Sequence, residues 1–196
     1  MSHVHETSAD ASNRVKSLVA ALEAAHVLAE RDLDRAIESF LTHAQPANGA
    51  RAVARAWVDP AFRERLLADG SAAVAELGID LAHWAPVKLR VVANEPRKHQ
   101  LIVCTLCSCY PLALLGPSPS WYKSNAYRSR AVRDPRGVLA EFGTTLGDDV
   151  EITVWDSTAE VRYMVLPQRP SGTEGASEDE LRALVTRNGL IGTELV

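Results

Sequence analysis

All three cysteines of this 196-residue chain lie in one stretch, Cys104-Thr105-Leu106-Cys107-Ser108-Cys109. Their sulfurs can reach one centre only if the backbone folds tightly between them, which makes the stretch a candidate metal-chelating claw. The Cys-Ser-Cys end permits a particular donor set. If Cys109 binds through its thiolate and its own deprotonated peptide nitrogen, the ring of N, Cα, Cβ, S and metal has five members. The nitrogen of Ser108 then closes a second five-membered ring with the nitrogen of Cys109, and a six-membered ring with the sulfur of Cys107. All these rings are unstrained. They form a square plane of two sulfurs and two amide nitrogens, with Cys104 as an axial sulfur and the sixth position open to a reactant.

Such a soft, electron-donating set suits trivalent cobalt or iron better than zinc, which prefers tetrahedral nitrogen and sulfur sites. A structural zinc knuckle needs a fourth ligand with its own spacing, and no second Cys or paired His motif follows. A thioredoxin-type Cys-x-x-Cys would open a helix after a strand, where Cys109 and Pro111 intrude. Buried cysteine is common, but three unrelated thiols rarely fall this close together.

At these residues the chain resembles a known family. Val103 through Pro111, then Trp121-Tyr122-Lys123 and Tyr127-Arg128-Ser129-Arg130, are similar to the alpha subunit of nitrile hydratase. Upstream the likeness takes in Asn48-Gly49-Ala50-Arg51 and Ala54-Arg55-Ala56-Trp57. Downstream it includes Arg162-Tyr163, Val165-Leu166-Pro167, Arg169-Pro170, Gly172-Thr173-Glu174-Gly175 and Val185-Thr186-Arg187. The resemblance implies hydration of a nitrile to its amide at a non-corrin trivalent metal. Threonine at the position of Thr105 accompanies cobalt in that family and serine accompanies iron, so cobalt is expected before iron. Cys104, Cys107 and Cys109 would bind through sulfur, and Ser108 and Cys109 through main-chain nitrogen. Cys107 would carry a sulfinate and Cys109 a sulfenate, and this pair would be catalytic. The attacking oxygen could come from the metal's hydroxide, from water activated by the Cys109 sulfenate, or from the sulfenate itself; each places Cys109 at the centre. The resemblance also implies a helical arm gripping a beta-type subunit, and a protein that delivers cobalt. Arginine suits oxidised sulfur, but the family takes those arginines from the beta subunit, so neither Arg128 nor Arg130 is assigned that role.

Three departures from the family pattern concern the surroundings of the claw. Pro111-Leu112-Ala113 stands where Pro-Trp-Pro is usual, Gly116-Pro117-Ser118-Pro119 where Gly-Leu-Pro-Pro is usual, and Ala85-Pro86 where a Gln-Gly pair is usual. Loss of an indole beside the claw should enlarge the cavity, which favours a bulky aromatic or heterocyclic nitrile, as in the toyocamycin type of this family. Two rival readings are the cobalt subunit of thiocyanate hydrolase, which shares the claw, and a metal-binding protein without turnover.

The elements that must position the claw follow from patterning. Val15, Leu18, Val19 and Leu22, then Leu33, Ile37, Phe40 and Leu41, recur at helical spacing and predict two helices hinged near Glu30 to Asp32. Asn48-Gly49 predicts a turn before a helix over Ala50 to Val58. Asp59-Pro60 predicts a cap and first turn, Gly70 a stop, and Ser71 the cap of a short helix through Leu77. From Pro86 the pattern changes: Val87, Leu89 and Val91 alternate with Lys88 and Arg90 as a half-buried strand, and Leu101-Ile102-Val103 delivers the chain to the claw. Beyond it, Lys123, Arg128, Arg130, Arg133 and Arg136 form a basic stretch that reads equally as a salt-bridged surface. Asp134-Pro135 opens a helix to Phe142. Val150-Ile152-Val154 and Val161-Tyr163-Val165 alternate as strands joined by a turn at Asp156 to Ala159, and Ser177 with Glu180 forms a capping box.

The expected class is α+β: an N-terminal tail and helical arm over 1–45, then a metal-binding catalytic domain over 46–196, layered α/β/β/α as the resemblance implies. The formal charge of −4 argues against nucleic acid as a partner. No apolar run reaches the roughly 18 residues of a membrane span, and no signal-peptide core is present, so a cytoplasmic protein is expected. His3 and His5 lie in a polar terminus and are assigned no role.

Overall fold

The structure is a computed structural model that describes residues 8–81, 87–107 and 109–196. Contacts divide it into two units, Met1–Thr42 and His43–Val196. The first unit contains α1 (Ser8–Ala24) and most of α2 (Glu30–His43). Its break falls at residues 25–29, slightly before the predicted hinge. Glu30 and Asp32 are already helical, and Asp32 accepts a hydrogen bond from the Ala29 amide, which makes it part of the start of α2 and not a break.

The second unit carries the layers that support the claw. Strand β1 (Lys88–Ala93) pairs in parallel with β4 (Val161–Leu166), and β2 (Lys98–Val103) pairs in parallel with β3 (Glu151–Asp156). The turn after β3 therefore does not close a hairpin; it sends β4 to the other sheet. The two sheets touch through β2 with β4 and β1 with β2. Helices α4 (Pro60–Ala68) and α5 (Gly70–Glu76) cover β1, whereas α7 (Asn125–Arg133) and α8 (Pro135–Glu141) cover β2 and β3. This is the expected α+β arrangement with four layers. Leu101, Ile102 and Val103 of β2 are fully buried with Met164 and Val165 of β4, so β2 reads as a continuous apolar run because both of its faces are covered.

Local chemistry explains most element ends. Asp59, Asp69 and Asp134 each accept a backbone N–H in the first turn of the helix they precede. The hydrogen bond that the Phe62 backbone N–H donates, with Arg55 nearby, holds the Asp59 carboxyl below its ordinary value. The Ser177–Glu180 capping box opens α9 (Glu178–Leu184). Two turn signals are overridden. Asp69, not Ser71, caps α5, and the Ser71 hydroxyl accepts the Leu89 amide of β1. Asn48-Gly49 lies inside α3 (Pro46–Val58) and is not a turn. Asn48 donates to the Ala113 carbonyl at 2.8 Å, and a Cβ on Gly49 would stand 2.7 Å from the Leu114 carbonyl oxygen, so the pair lets α3 approach α6 (Leu112–Leu115) closely. The short α10 (Arg187–Ile191), capped by Thr186, closes the chain against β2 and β4. Among the described residues no helix is long and apolar enough to cross a membrane.

Candidate metal centre

The claw leaves the C-terminal end of β2, where the parallel register sets Val103 opposite Asp156 at the end of β3. Beneath it lies a cluster of rings. Trp121 meets Tyr127 and Phe142 edge-on at 4.9 and 4.6 Å between centroids, and Tyr110 meets Tyr122 at 5.0 Å. Two phenols tie this cluster to the backbone of the site: Tyr127 donates to the Ile102 carbonyl at 2.6 Å and Tyr122 to the Cys109 carbonyl at 3.1 Å. Burial pushes both hydroxyls well above the ordinary phenol value, so they remain donors.

The three sulfurs converge as the spacing predicts. Cys104 Sγ is 3.4 Å from Cys107 Sγ, Cys107 Sγ is 3.0 Å from Cys109 Sγ, and all three lie within 4.8 Å of one another. Around one ion with metal–sulfur bonds of about 2.3 Å, sulfurs at a right angle are about 3.3 Å apart and sulfurs at the tetrahedral angle about 3.8 Å. The two separations that involve Cys107 are nearer the right angle of an octahedral or square-planar centre than the tetrahedral angle of zinc. They also exceed by far the roughly 2.05 Å of a disulfide. The thiols differ in access: Cys104 and Cys109 are buried and Cys107 is exposed. Desolvation, then the Cys107 contact, pushes the Cys109 thiol up to about 12 against the opposing charge of Arg162, so it holds its proton until a cation displaces it. The residues present therefore fit a trivalent ion with thiolate donors. The expected ligand Ser108 lies outside the described residues, as does Ala85-Pro86.

Two polar residues that the sequence did not single out for the site hold its first half. Asp156 accepts the Thr105 amide at 2.9 Å and also the Thr105 hydroxyl. Arg128 donates to the Cys104 carbonyl at 3.1 Å and to the Thr105 carbonyl at 2.6 Å. Asp156 read as a turn residue, and Arg128 as one cation in a basic stretch. Two other arginines of that stretch support the surface: Arg130 pairs with Asp134 and Glu141, and Arg136 donates to the carbonyls of Leu146, Gly147 and Val150.

The residues that follow Cys109 in the chain, Tyr110, Pro111, Leu112 and Ala113, line a cleft of about 130 Å³ with Leu81, Val87, Leu89 and Arg162, the last of which is near enough to act on the charge of Cys109. Its walls are apolar apart from Arg162 and the Tyr110 phenol. Leu112 and Ala113, the residues that depart from Pro-Trp-Pro, are both in that wall.

A sulfur claw at the carboxyl ends of parallel strands, on a four-layer α+β frame, defines a metal-centre subunit. Comparison with known proteins places it more narrowly. Residues 9–194 match the family described as "Nitrile hydratase, alpha chain". The chain is 50% identical over 182 residues to the low-molecular weight cobalt-containing nitrile hydratase subunit alpha of Rhodococcus rhodochrous, covering 93% of this chain and 87% of the relative. It is 46% identical to the cobalt-containing nitrile hydratase subunit alpha of Pseudonocardia thermophila, covering 96% and 92%. The thiocyanate hydrolase subunit gamma of Thiobacillus thioparus is 46% identical over 156 residues, covering 75% of this chain and 64% of that one. Among solved structures, a double mutant of the Fe-type nitrile hydratase from Comamonas testosteroni Ni1 superposes with a TM-score of 0.91 at 39% identity, covering 96% of this chain and 91% of that one. The chain belongs to the nitrile hydratase alpha chain family.

Proposed function

We propose that this chain is the catalytic alpha subunit of a nitrile hydratase that converts a nitrile to its amide at a trivalent cobalt centre. The observation that carries this reading is the convergence of three cysteine sulfurs at the end of β2, with Cys107 Sγ 3.4 Å from Cys104 Sγ and 3.0 Å from Cys109 Sγ. Cys104, Cys107 and Cys109 would hold the ion through sulfur, and Ser108 and Cys109 through main-chain nitrogen. Bound there, the ion supplies Lewis-acid polarisation of the nitrile. Cobalt is preferred to iron because Thr105 occupies the position where cobalt members carry threonine, and cobalt-containing subunits are 45–50% identical to the chain.

The chain's own residues supply position and charge. Cys107 and Cys109, carrying sulfinate and sulfenate, would be the catalytic pair, with Cys109 at the centre of each possible route of attack. The Arg162 guanidinium favours negative charge on Cys109. The apolar cleft beside Cys109 orients the body of the substrate and keeps water from it. With leucine and alanine in the wall, that cleft takes an aromatic or heterocyclic nitrile.

A beta-type subunit completes the enzyme. Val15, Leu18, Ile37 and Leu41 are exposed apolar residues of the arm, and Leu106 at the tip of the claw is 88% exposed, as expected of surface that a partner covers. Because Cys104 and Cys109 are buried, a cobalt-delivery protein is expected to assist loading. The reducing cytoplasm, which keeps unloaded thiols available, is the proposed location.

The test is peptide mass spectrometry without reductant and elemental analysis of chain coexpressed with its beta partner in cobalt, followed by assays on benzonitrile, acetonitrile and thiocyanate. One cobalt per chain, added oxygen on Cys107 and Cys109, and amide formed preferentially from benzonitrile are the expected results. Carbonyl sulfide from thiocyanate, with no amide from either nitrile, would assign the thiocyanate hydrolase reaction instead. Zinc on three unmodified thiols would overturn the catalytic reading.

A further inference from the structure

The first half of the claw is gripped from two sides. Thr105 sends its amide and its hydroxyl to one carboxylate, Asp156, while the carbonyls of Cys104 and Thr105 both accept from one guanidinium, Arg128. Every hydrogen-bonding group of Thr105 is thereby used, although the residue lies at the surface of the loop between buried Cys104 and a Leu106 that is 88% exposed. Both anchors stand on supported elements. Asp156 ends β3 in register with Val103, and Arg128 sits on α7 next to Tyr127, whose hydroxyl is bonded to the Ile102 carbonyl of β2. Cys104 thus enters the site with the peptide on its far side held, and the distance from Cys104 to the Cys107–Cys109 pair is set before any ion arrives.

We propose that Asp156 and Arg128 are positioning residues that clamp the Cys104-Thr105 segment and slow the release of the metal by holding the Cys104 sulfur at its place. The proposal rests on the metal-centre reading above. It assigns the Thr105 hydroxyl a specific partner, so Thr105 acts through Asp156 and not as a ligand. The two anchors carry opposite charges and grip donors and acceptors separately, so the roles of the two side chains cannot be exchanged. Polar groups that orient metal ligands from outside typically alter metal affinity by 10–100-fold when removed.

The test uses the cobalt-loaded holoenzyme and follows transfer of cobalt to excess EDTA through loss of the sulfur-to-metal charge-transfer absorption, with thermal unfolding measured beside it. Asp156→Ala and Arg128→Ala are expected to release cobalt about 10–100-fold faster than the parent at an unchanged unfolding temperature. Arg130→Ala, on the same helix but bonded to Asp134 and Glu141, is expected to match the parent. Thr105→Val keeps the amide donor and lacks the hydroxyl; it should release faster by a smaller factor and add nothing further to Asp156→Ala. Release at the parent rate from Asp156→Ala and Arg128→Ala overturns the clamp, and so does faster release that only follows a lowered unfolding temperature. Should those two variants fail to fold, release at the parent rate from Thr105→Val overturns it. A parent chain that holds no metal overturns the metal-centre reading itself, whereas a loaded parent with unaffected variants overturns the clamp alone.

Discussion

Leu112→Trp tests whether the cleft beside Cys109 selects the substrate. Leu112 opens α6 three residues after Cys109 and contributes its isobutyl group to the wall of a cleft of about 130 Å³. An indole there would project into the space that an aromatic nitrile needs. The cleft is also lined by buried Leu89, by Val87 and Leu81, and by Tyr110, whose ring is packed edge-on against Tyr122, so these neighbours leave little room to absorb an indole. A misfit of a single methylene in an apolar pocket changes discrimination by roughly 10–200-fold, so kcat/KM for benzonitrile should fall at least about tenfold relative to acetonitrile. The assay is steady-state amide formation by parent and variant holoenzyme on both nitriles, at equal cobalt content. Because the comparison is a ratio on one preparation, partial loading cancels. An unchanged ratio in a fully loaded variant would refute the assignment of this cleft to the substrate, and a parent that turns over acetonitrile as well as benzonitrile would refute the preference for bulky nitriles.

Other expectations follow from the same geometry. Tyr127→Phe leaves the buried Ile102 carbonyl without its 2.6 Å partner, which should cost about 1–3 kcal/mol, measurable as a lower chemical-denaturation midpoint of the metal-free chain. His99 is buried and its Nε2 meets the Gly192 carbonyl at 2.7 Å; desolvation depresses its pKa below the ordinary 6.5. The unfolded chain therefore takes up a proton at pH values where the folded chain does not, and stability should fall as pH drops below 6.5, a slope that His99→Gln should reduce. If denaturation midpoints of parent and variant fall in parallel with pH, His99 is not the cause. In the metal-free chain, iodoacetamide should alkylate exposed Cys107 before buried Cys104 and Cys109, as read by peptide mass mapping; equal labelling of all three would contradict the described claw.

The convergence of the three sulfurs and the family likeness were legible in the sequence because the cysteines are local: four residues separate the first cysteine from the last. The capped helices were equally legible, since Asp59, Asp134 and Ser177 act on amides within their own first turn. Asn48-Gly49 misled because its use is tertiary: the asparagine bonds Ala113 and the glycine admits the Leu114 carbonyl, both far along the chain. The pairing of β1 with β4 and β2 with β3 was likewise invisible, because alternation identifies a strand but not its neighbour. That pairing brings Asp156 beside Val103, and the packing of α7 on β2 brings Arg128 over the claw carbonyls. The sequence by itself determined that three sulfurs can meet in one loop; the tertiary structure decided what holds that loop, because the groups that anchor it are brought to it by strand register and helix packing from 23 to 51 residues away.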